Sequence, residues 1–297
     1  MNKLHLMTVS LLLVASVPAC VSSAEDEDVI GGHAGPGDPD GTEIGAPDAT
    51  GRTAMYFPDG GLRIVGYDVY DGRAIIEGDI DIGAAEDMIE VAEGVELKDL
   101  PAQAWTSLGA TKWTSGTIRY QAPSLDHLGA TRYNAVYQAI AELINETHMD
   151  FQLVSSSSSS NRIVFMNAIA GASSSPVGMQ GGVQFVRLTL DADITTIKHE
   201  ILHAAGFWHE QSRTDRASHI DINWICIMPG HEHNFASHSG LSNVGYDTES
   251  IMHYRSTAFV RTDISGCTWT SRRENGTLIP RNTELSDGDV DSINLWY

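Results

Sequence analysis

The run His199-Glu200-Ile201-Leu202-His203-Ala204-Ala205-Gly206-Phe207-Trp208-His209-Glu210 constrains this chain more than any other stretch of its sequence. Residues four apart on an α-helix lie on one face, so His199 and His203 can hold one metal ion between them. Glu200 points at the same ion from the wrong angle to be a third helical ligand. It is suited instead to handling the proton of an attacking water. Ile201, Leu202, Ala204, Ala205 and Phe207 form an apolar remainder that a surface helix with scattered histidines would not carry. Gly206 permits a left-handed backbone where the helix stops, and the chain can then turn back to bring His209 to the metal. Three imidazoles and one open position describe a catalytic zinc site rather than a closed structural one.

Downstream, Ser250-Ile251-Met252-His253-Tyr254 reads as the Met-containing turn that accompanies such a helix. On its own, Met252 would be an ordinary core residue. Together the two motifs resemble the astacin family of metzincin zinc peptidases, which carry H-E-x-x-H-x-x-G-x-x-H-E and S-x-M-H-Y. The likeness continues in Arg213, Asp215 and Arg216, in Thr257-Ala258-Phe259, and from Leu285-Ser286-Asp287 to Ile293-Asn294-Leu295-Trp296-Tyr297, so it covers about the last two thirds of the chain. It implies an α+β catalytic domain of two lobes, in which a mixed twisted sheet and a long zinc-binding helix face an irregular half across a cleft. It also implies one zinc ion held by His199, His203 and His209, with Tyr254 as a further ligand at rest and an oxyanion donor during catalysis. Glu200 is then the general base and Met252 the packing beneath the metal. Glu210 is the partner of the amino terminus freed on activation.

The amino terminus reads as a signal segment over residues 1–19: Lys3, then an apolar stretch too short for a permanent membrane anchor. It ends Val17-Pro18-Ala19-Cys20, which resembles the lipobox of bacterial lipoproteins and makes Cys20 a candidate for lipidation and membrane attachment. Ordinary secretion with cleavage after Ala19 or Ala24 is the other reading. Both put the protein outside the cell or in a cell envelope. Residues 20–51, rich in Asp, Glu, Gly and Pro, cannot bury a core and read as a disordered tether. The net charge of −21 argues against nucleic acid as a partner. A protein or peptide substrate fits the zinc motif, and a monomer is expected.

Residues 52–105 read as a small propeptide, with strand-like runs at 62–67 and 73–76 and an acidic helix expected over 84–95. Within it lies Ile76-Glu77-Gly78-Asp79-Ile80. Gly-Asp alone is a turn signal. Astacin proenzymes carry F-x-G-D, whose Asp binds the zinc. By that resemblance Asp79 is a latency switch, although Ile76 stands where the family has Phe. The catalytic domain is expected over 106–297, freed by a cut between about residues 101 and 111. Within it a helix is expected over 133–147, strands at 151–154, 162–166 and 183–190, and a mobile serine loop at 155–160. By the family resemblance, the strand at 183–190 is the edge on which an extended substrate would pair. Cys226 and Cys267 suggest one disulfide in an exported protein; the two disulfides usual in the family lack their cysteines here. His231, His233 and His238 lie in a Gly/Ser-rich loop without carboxylate spacing and are not read as a second metal site. Hydrolysis of peptide bonds is thus the expected function. A catalytically silent zinc-binding envelope or adhesion protein is the alternative, and a permanently latent protease is a third.

Overall fold

An Asp-Gly pair sets the first supersecondary unit. Asp71 and Gly72 both take positive φ, 49° and 71°, the left-handed pair of a tight hairpin turn. The turn joins β2 (Leu62–Tyr70) to β3 (Arg73–Ile76) in the computed structural model. The structure describes residues 46–57, 61–100, 106–107, 111–168, 170–238 and 244–297. The expected signal segment, Cys20 and the expected tether as far as residue 45 lie outside them. So does most of the stretch expected to hold the activation cut. Among the described residues no helix is long and apolar enough to cross a membrane.

β1 (Ala49–Tyr56) pairs antiparallel with β2, and β4 (Ile80–Ala84) with β3. A two-residue strand, β5 (Thr106–Ser107), runs parallel to β1 and gives a five-stranded sheet in the order β4-β3-β2-β1-β5. β1 takes in residues 49–51, which composition had assigned to the tether. The acidic helix expected over 84–95 is absent; only a 3-10 turn at Ala85–Asp87 forms. Residues 89–92 lie instead alongside β1. Thr53 bridges Glu90, the Arg52 amide donates to Glu90 Oε1 at 3.1 Å, and Thr53 Oγ1 donates to the Ile89 carbonyl at 3.0 Å. Helical spacing of acids yields here to hydrogen bonds that the sheet edge offers. The apolar face of this sheet, Met55, Phe57, Tyr67, Ile76, Ile80 and Ile82, packs with Val177 and Trp208 from the following part of the chain.

That part opens with β6 (Thr117–Gln121), followed by α1 (Leu125–Glu146), β7 (Asp150–Val154), β8 (Arg162–Asn167) and β9 (Val183–Leu188). The strands form a parallel sheet in the order β7-β6-β8-β9. α1 starts before the expected helix, capped by Ser124, and kinks at Gly129, where φ is 70°. Val136, Ile140 and Leu143 from α1 pack with Ile118, Ile163 and Leu188 of the sheet and with Ile197 and Ile201 of α2 (Ile194–Ala205). The serine loop is tied down rather than merely mobile: Arg162 donates to the carbonyls of Ser156 and Ser158 at 2.9 and 2.7 Å. β9 is not the free edge that the family resemblance suggested. Ser174 bridges Arg187 on its outer side, so the cleft-facing edge is the short segment around Ser174 and Ser175. The remaining half has little regular structure: β10 (Ile220–Ile222) paired with β11 (Ser271–Arg273), a Cys226–Cys267 disulfide, and α3 (Asp287–Trp296) under a Ser286–Asp289 capping box.

Asp193 caps α2. Its Oδ1 accepts from the Thr196 amide at 2.9 Å, and Arg281 reaches both carboxylate oxygens at 2.8 Å. Partial burial opposes charge on Asp193, but Arg281 and the Thr196 amide outweigh it and hold the carboxyl down at about 2. A lowered folded-state value stabilises above the unfolded carboxyl range, and the contribution is lost as pH falls toward 2. Asp193→Ala is therefore expected to cost about 1 kcal/mol at neutral pH and less at pH 3. Urea melts at both pH values check this; an equal cost at each would remove the ionised cap from the account.

Candidate metal centre

Every residue of α2 from Thr195 to Ala205 is buried, which leaves its polar side chains no solvent to face. His199 and His203 project together from it. Gly206, at φ 116° and ψ 8°, ends the helix, with its amide donating to the carbonyls of Leu202 and His203. Trp208 then enters the core shared with the amino-terminal sheet, and the next residue, His209, faces back toward the helix. The three rings sit with centroids 4.6–5.2 Å apart.

Each ring is oriented through Nδ1. His199 Nδ1 donates to the Ile251 carbonyl at 2.9 Å, His203 Nδ1 to the Phe207 carbonyl at 2.8 Å, and His209 Nδ1 to Glu77 Oε2 at 2.8 Å. With Nδ1 so committed, the Nε2 lone pairs of neutral rings converge on one point. His199 Nε2 and His209 Nε2 are 3.2 Å apart. Asp79 enters the same space, its Oδ2 lying 3.2 Å from each of those nitrogens and its Oδ1 3.5 Å from His203 Nε2. Asp79 Oδ1 and His203 Nε2 are buried with no hydrogen-bond partner. A buried acceptor set of three imidazoles and a carboxylate, with two atoms left unsatisfied, fits a divalent metal ion. Among the described residues this is the group of His, Cys, Asp and Glu side chains that could hold one.

Asp79 arrives on the β3–β4 hairpin. Ile76 pairs with Ile80, and Glu77 and Gly78 between them take φ of 48° and 78°. Left-handed backbone at a non-glycine residue costs about 1 kcal/mol or more, and burial around the tip holds it. Glu77 is the functional residue that sequence reasoning passed over. Its carboxylate accepts from His209, from His238 Nε2 at 2.5 Å and from Ser212 Oγ at 3.1 Å. Its carbonyl accepts a short hydrogen bond from the Tyr254 hydroxyl. Burial opposes charge on Glu77, but His238 and His209 draw its carboxyl down to about 2. Burial likewise opposes charge on Asp79, and the facing imidazoles hold it well below the usual carboxylate range. The one available signal was a second carboxylate beside Asp79 in the run Ile75-Ile76-Glu77-Gly78-Asp79-Ile80.

The other sequence-derived candidates fall around this centre. Glu200 is buried on α2 beside His199. Tyr254 is buried, its ring 4.8 Å from that of His209. Met252 lies in the core under α2, and its carbonyl accepts from the Glu210 amide at 2.9 Å. Glu210 is paired here with Arg213 at 3.0 Å and with the Asp247 amide at 2.8 Å; burial, only partly offset by Arg213, raises its carboxyl to about 7. The histidines read as no second metal site instead meet the amino-terminal sheet. His231 and His233 face Asp68 at 3.2 and 3.7 Å, His238 faces Glu77, and Gly66 lets the His233 ring lie against β2, since a Cβ there would sit 2.9 Å from it.

Known proteins resemble this chain. The family model for Astacin, a peptidase family, matches residues 106–297. Meprin A subunit beta of Mus musculus is 34% identical over 232 residues, 74% of this chain and 32% of that protein. Zinc metalloproteinase nas-6 of Caenorhabditis elegans is 40% identical over 141 residues, 45% of this chain and 40% of that protein. The chain thus spans well under half the length of these relatives. Among solved structures, high choriolytic enzyme 1, a hatching enzyme zinc-protease from Oryzias latipes, superposes with a TM-score of 0.54 at 27% identity, over 63% of this chain and 92% of that one.

Removing one imidazole tests the centre directly. The purified full chain is expected to carry about one zinc, since four ligands converge on one point. His203→Ala is expected to lose most of it on dialysis. Atomic emission decides, and equal zinc in both proteins would rule out the convergence as the binding site.

Proposed function

The chain belongs to the astacin family of zinc metallopeptidases, and on that premise we propose that it is an exported endopeptidase made as a latent precursor. Residues 52–105 act as propeptide and 106–297 as catalytic domain, with a signal segment and tether before them. The observation that carries latency is the Asp79 carboxylate lying within 3.2–3.5 Å of all three His Nε2 atoms, in the space a substrate carbonyl would need. The Cys226–Cys267 disulfide supports export, since such bonds persist in oxidising compartments. Attachment through lipidated Cys20 belongs to the same proposal.

His199, His203 and His209 hold the zinc, which when bound polarises a peptide carbonyl and makes water a competent nucleophile near neutral pH. Glu200 takes the proton of the attacking water and passes it to the leaving amine. Its burial beside His199 suits that work, because a dry site strengthens every charge interaction within it. Tyr254 already donates to a peptide carbonyl in the cleft, that of Glu77. Freed of that partner, the same hydroxyl can donate to the oxygen on which negative charge develops. Glu77 holds the trio indirectly: it fixes His209 through Nδ1 and occupies His238 and Ser212 while the propeptide is in place.

Cleavage of an unstructured protein by the full chain, before and after processing between about residues 101 and 111, tests this. The processed form is expected to cleave and a chelator to stop it, with the precursor silent. A silent, folded, zinc-loaded processed form would favour a binding role instead. Glu200→Gln is expected to keep zinc and lose about 100-fold or more in kcat; retained turnover would reject the proton-transfer role. Asp79→Ala is expected to give the unprocessed chain measurable activity. Continued silence there, with zinc bound, would mean that the hairpin blocks by bulk rather than through its carboxylate.

A further inference from the structure

The turn from Ser250 to Tyr254 is pinned from several directions. Ser250 Oγ donates to Asp289 Oδ1 at 2.6 Å, and the Ile251 amide donates to Asp289 Oδ2 at 2.8 Å. The Ile251 carbonyl accepts from His199 Nδ1, and the Met252 carbonyl from the Glu210 amide. Tyr254 is held on both sides of its Cα. Its amide donates to Gln211 Oε1 at 3.1 Å, and its carbonyl accepts from His253 Nδ1 at 2.7 Å. The ring of His253 thus braces the backbone that carries the Tyr254 hydroxyl.

That brace works in one protonation form only. His253 is buried, and its other nitrogen, Nε2, lies 2.9 Å from the Tyr246 hydroxyl. None of the hydrogen bonds to the ring comes from a carboxylate, and burial favours the neutral form. A neutral imidazole has one N–H. The Tyr254 carbonyl can only accept, so the proton belongs on Nδ1. Nε2 then carries the lone pair, and the Tyr246 hydroxyl donates to it. With the proton on Nε2 instead, two lone pairs would face each other at 2.7 Å. The Tyr246 hydroxyl therefore selects the tautomer that braces Tyr254. The Tyr246 ring is itself fixed. It stacks on His219 with centroids 4.7 Å apart and planes within 3°, and the Arg213 guanidinium lies 5.4 Å from its centre. Tyr246, His253, Tyr254, Gln211, His219 and Arg213 all lie within residues 106–297, so the amino-terminal sheet makes none of these contacts.

We propose that Tyr246 is a positioning residue for catalysis: through His253 it fixes the backbone of Tyr254, and so the place where the Tyr254 hydroxyl meets the developing oxyanion. The inference rests on the peptidase reading, in which Tyr254 is the oxyanion donor. Tyr246→Phe keeps the ring against His219 and Arg213 and removes only the hydroxyl. In the processed full chain it is expected to lower kcat about tenfold with KM and zinc content unchanged, as a small misplacement of a catalytic group does. In a Tyr254→Phe background the same substitution is expected to cost less than about twofold, because no hydroxyl is left to place. A role confined to folding would lower kcat by the same factor in both backgrounds, and that result overturns the inference. So does unchanged kcat in Tyr246→Phe. The imidazole gives a second readout. Long-range proton–nitrogen spectra of the unsubstituted full chain are expected to show His253 protonated at Nδ1 and bare at Nε2, the signal being assigned by its loss in His253→Gln. A proton on Nε2 overturns the inference even where Tyr246→Phe fails to fold. If Tyr254→Phe alone cleaves as the unsubstituted enzyme does, the oxyanion role and this inference fall together while the peptidase reading stands. Failure of every form to cleave overturns all three.

Discussion

The convergence of three imidazole Nε2 atoms organises the rest of this molecule. Each ring is aimed by a partner at Nδ1, and the partners come from three separate places: the Ile251 carbonyl before the Met252 turn, the Phe207 carbonyl after the helix stop, and the Glu77 carboxylate of the amino-terminal hairpin. A lone pair aimed at two others is unfavourable until a cation or proton sits among them. The buried Lys198 shows the same economy on the other side of α2, where Glu142 and Glu284 meet its ammonium at 3.1 and 3.2 Å. The helix could not be so completely buried if either side left its charges without partners.

The amino-terminal sheet and the catalytic domain are joined by more than a plug in a hole. The sheet's own apolar face is completed by Val177 and Trp208, and Trp208 adjoins the candidate metal ligand His209. Asp68 meets His231 and His233, and Glu77 meets His238. These histidines sit in an irregular half with little secondary structure to place them, so the sheet lends that half part of its order. In the proposed reading, removing the propeptide exposes the metal centre and also leaves Glu77's partners to be satisfied anew. Activation then changes hydrogen bonding across the whole cleft rather than at one ligand.

Much of this was legible from residue spacing. The metal helix, its glycine stop and the third histidine could be read because helical periodicity and a left-handed backbone are local properties. The hairpin strands were readable from the apolar runs at 62–67 and 73–76. The acidic stretch at 84–95 misled, because its spacing suits a helix while the unpaired edge of β1 offers better hydrogen bonds. The edge strand was also misjudged: the resemblance pointed to β9, and alternation along it could not reveal that residues near Ser174 cover its outer side.

Sequence by itself determined which side chains can share a metal, where the helix holding them must end, and which cysteines were available to pair. Those follow from bond geometry and short-range spacing along one stretch of chain. Only the tertiary structure decided that Glu77, 132 residues before His209, fixes that ring, and that Asp81 faces Arg187 across 106 residues. It also decided that the Tyr254 hydroxyl meets the Glu77 carbonyl. Such pairings depend on packing two distant segments into one buried space, where each charged or polar group must find a partner or remain at high cost. No local pattern in the chain encodes which partner that will be.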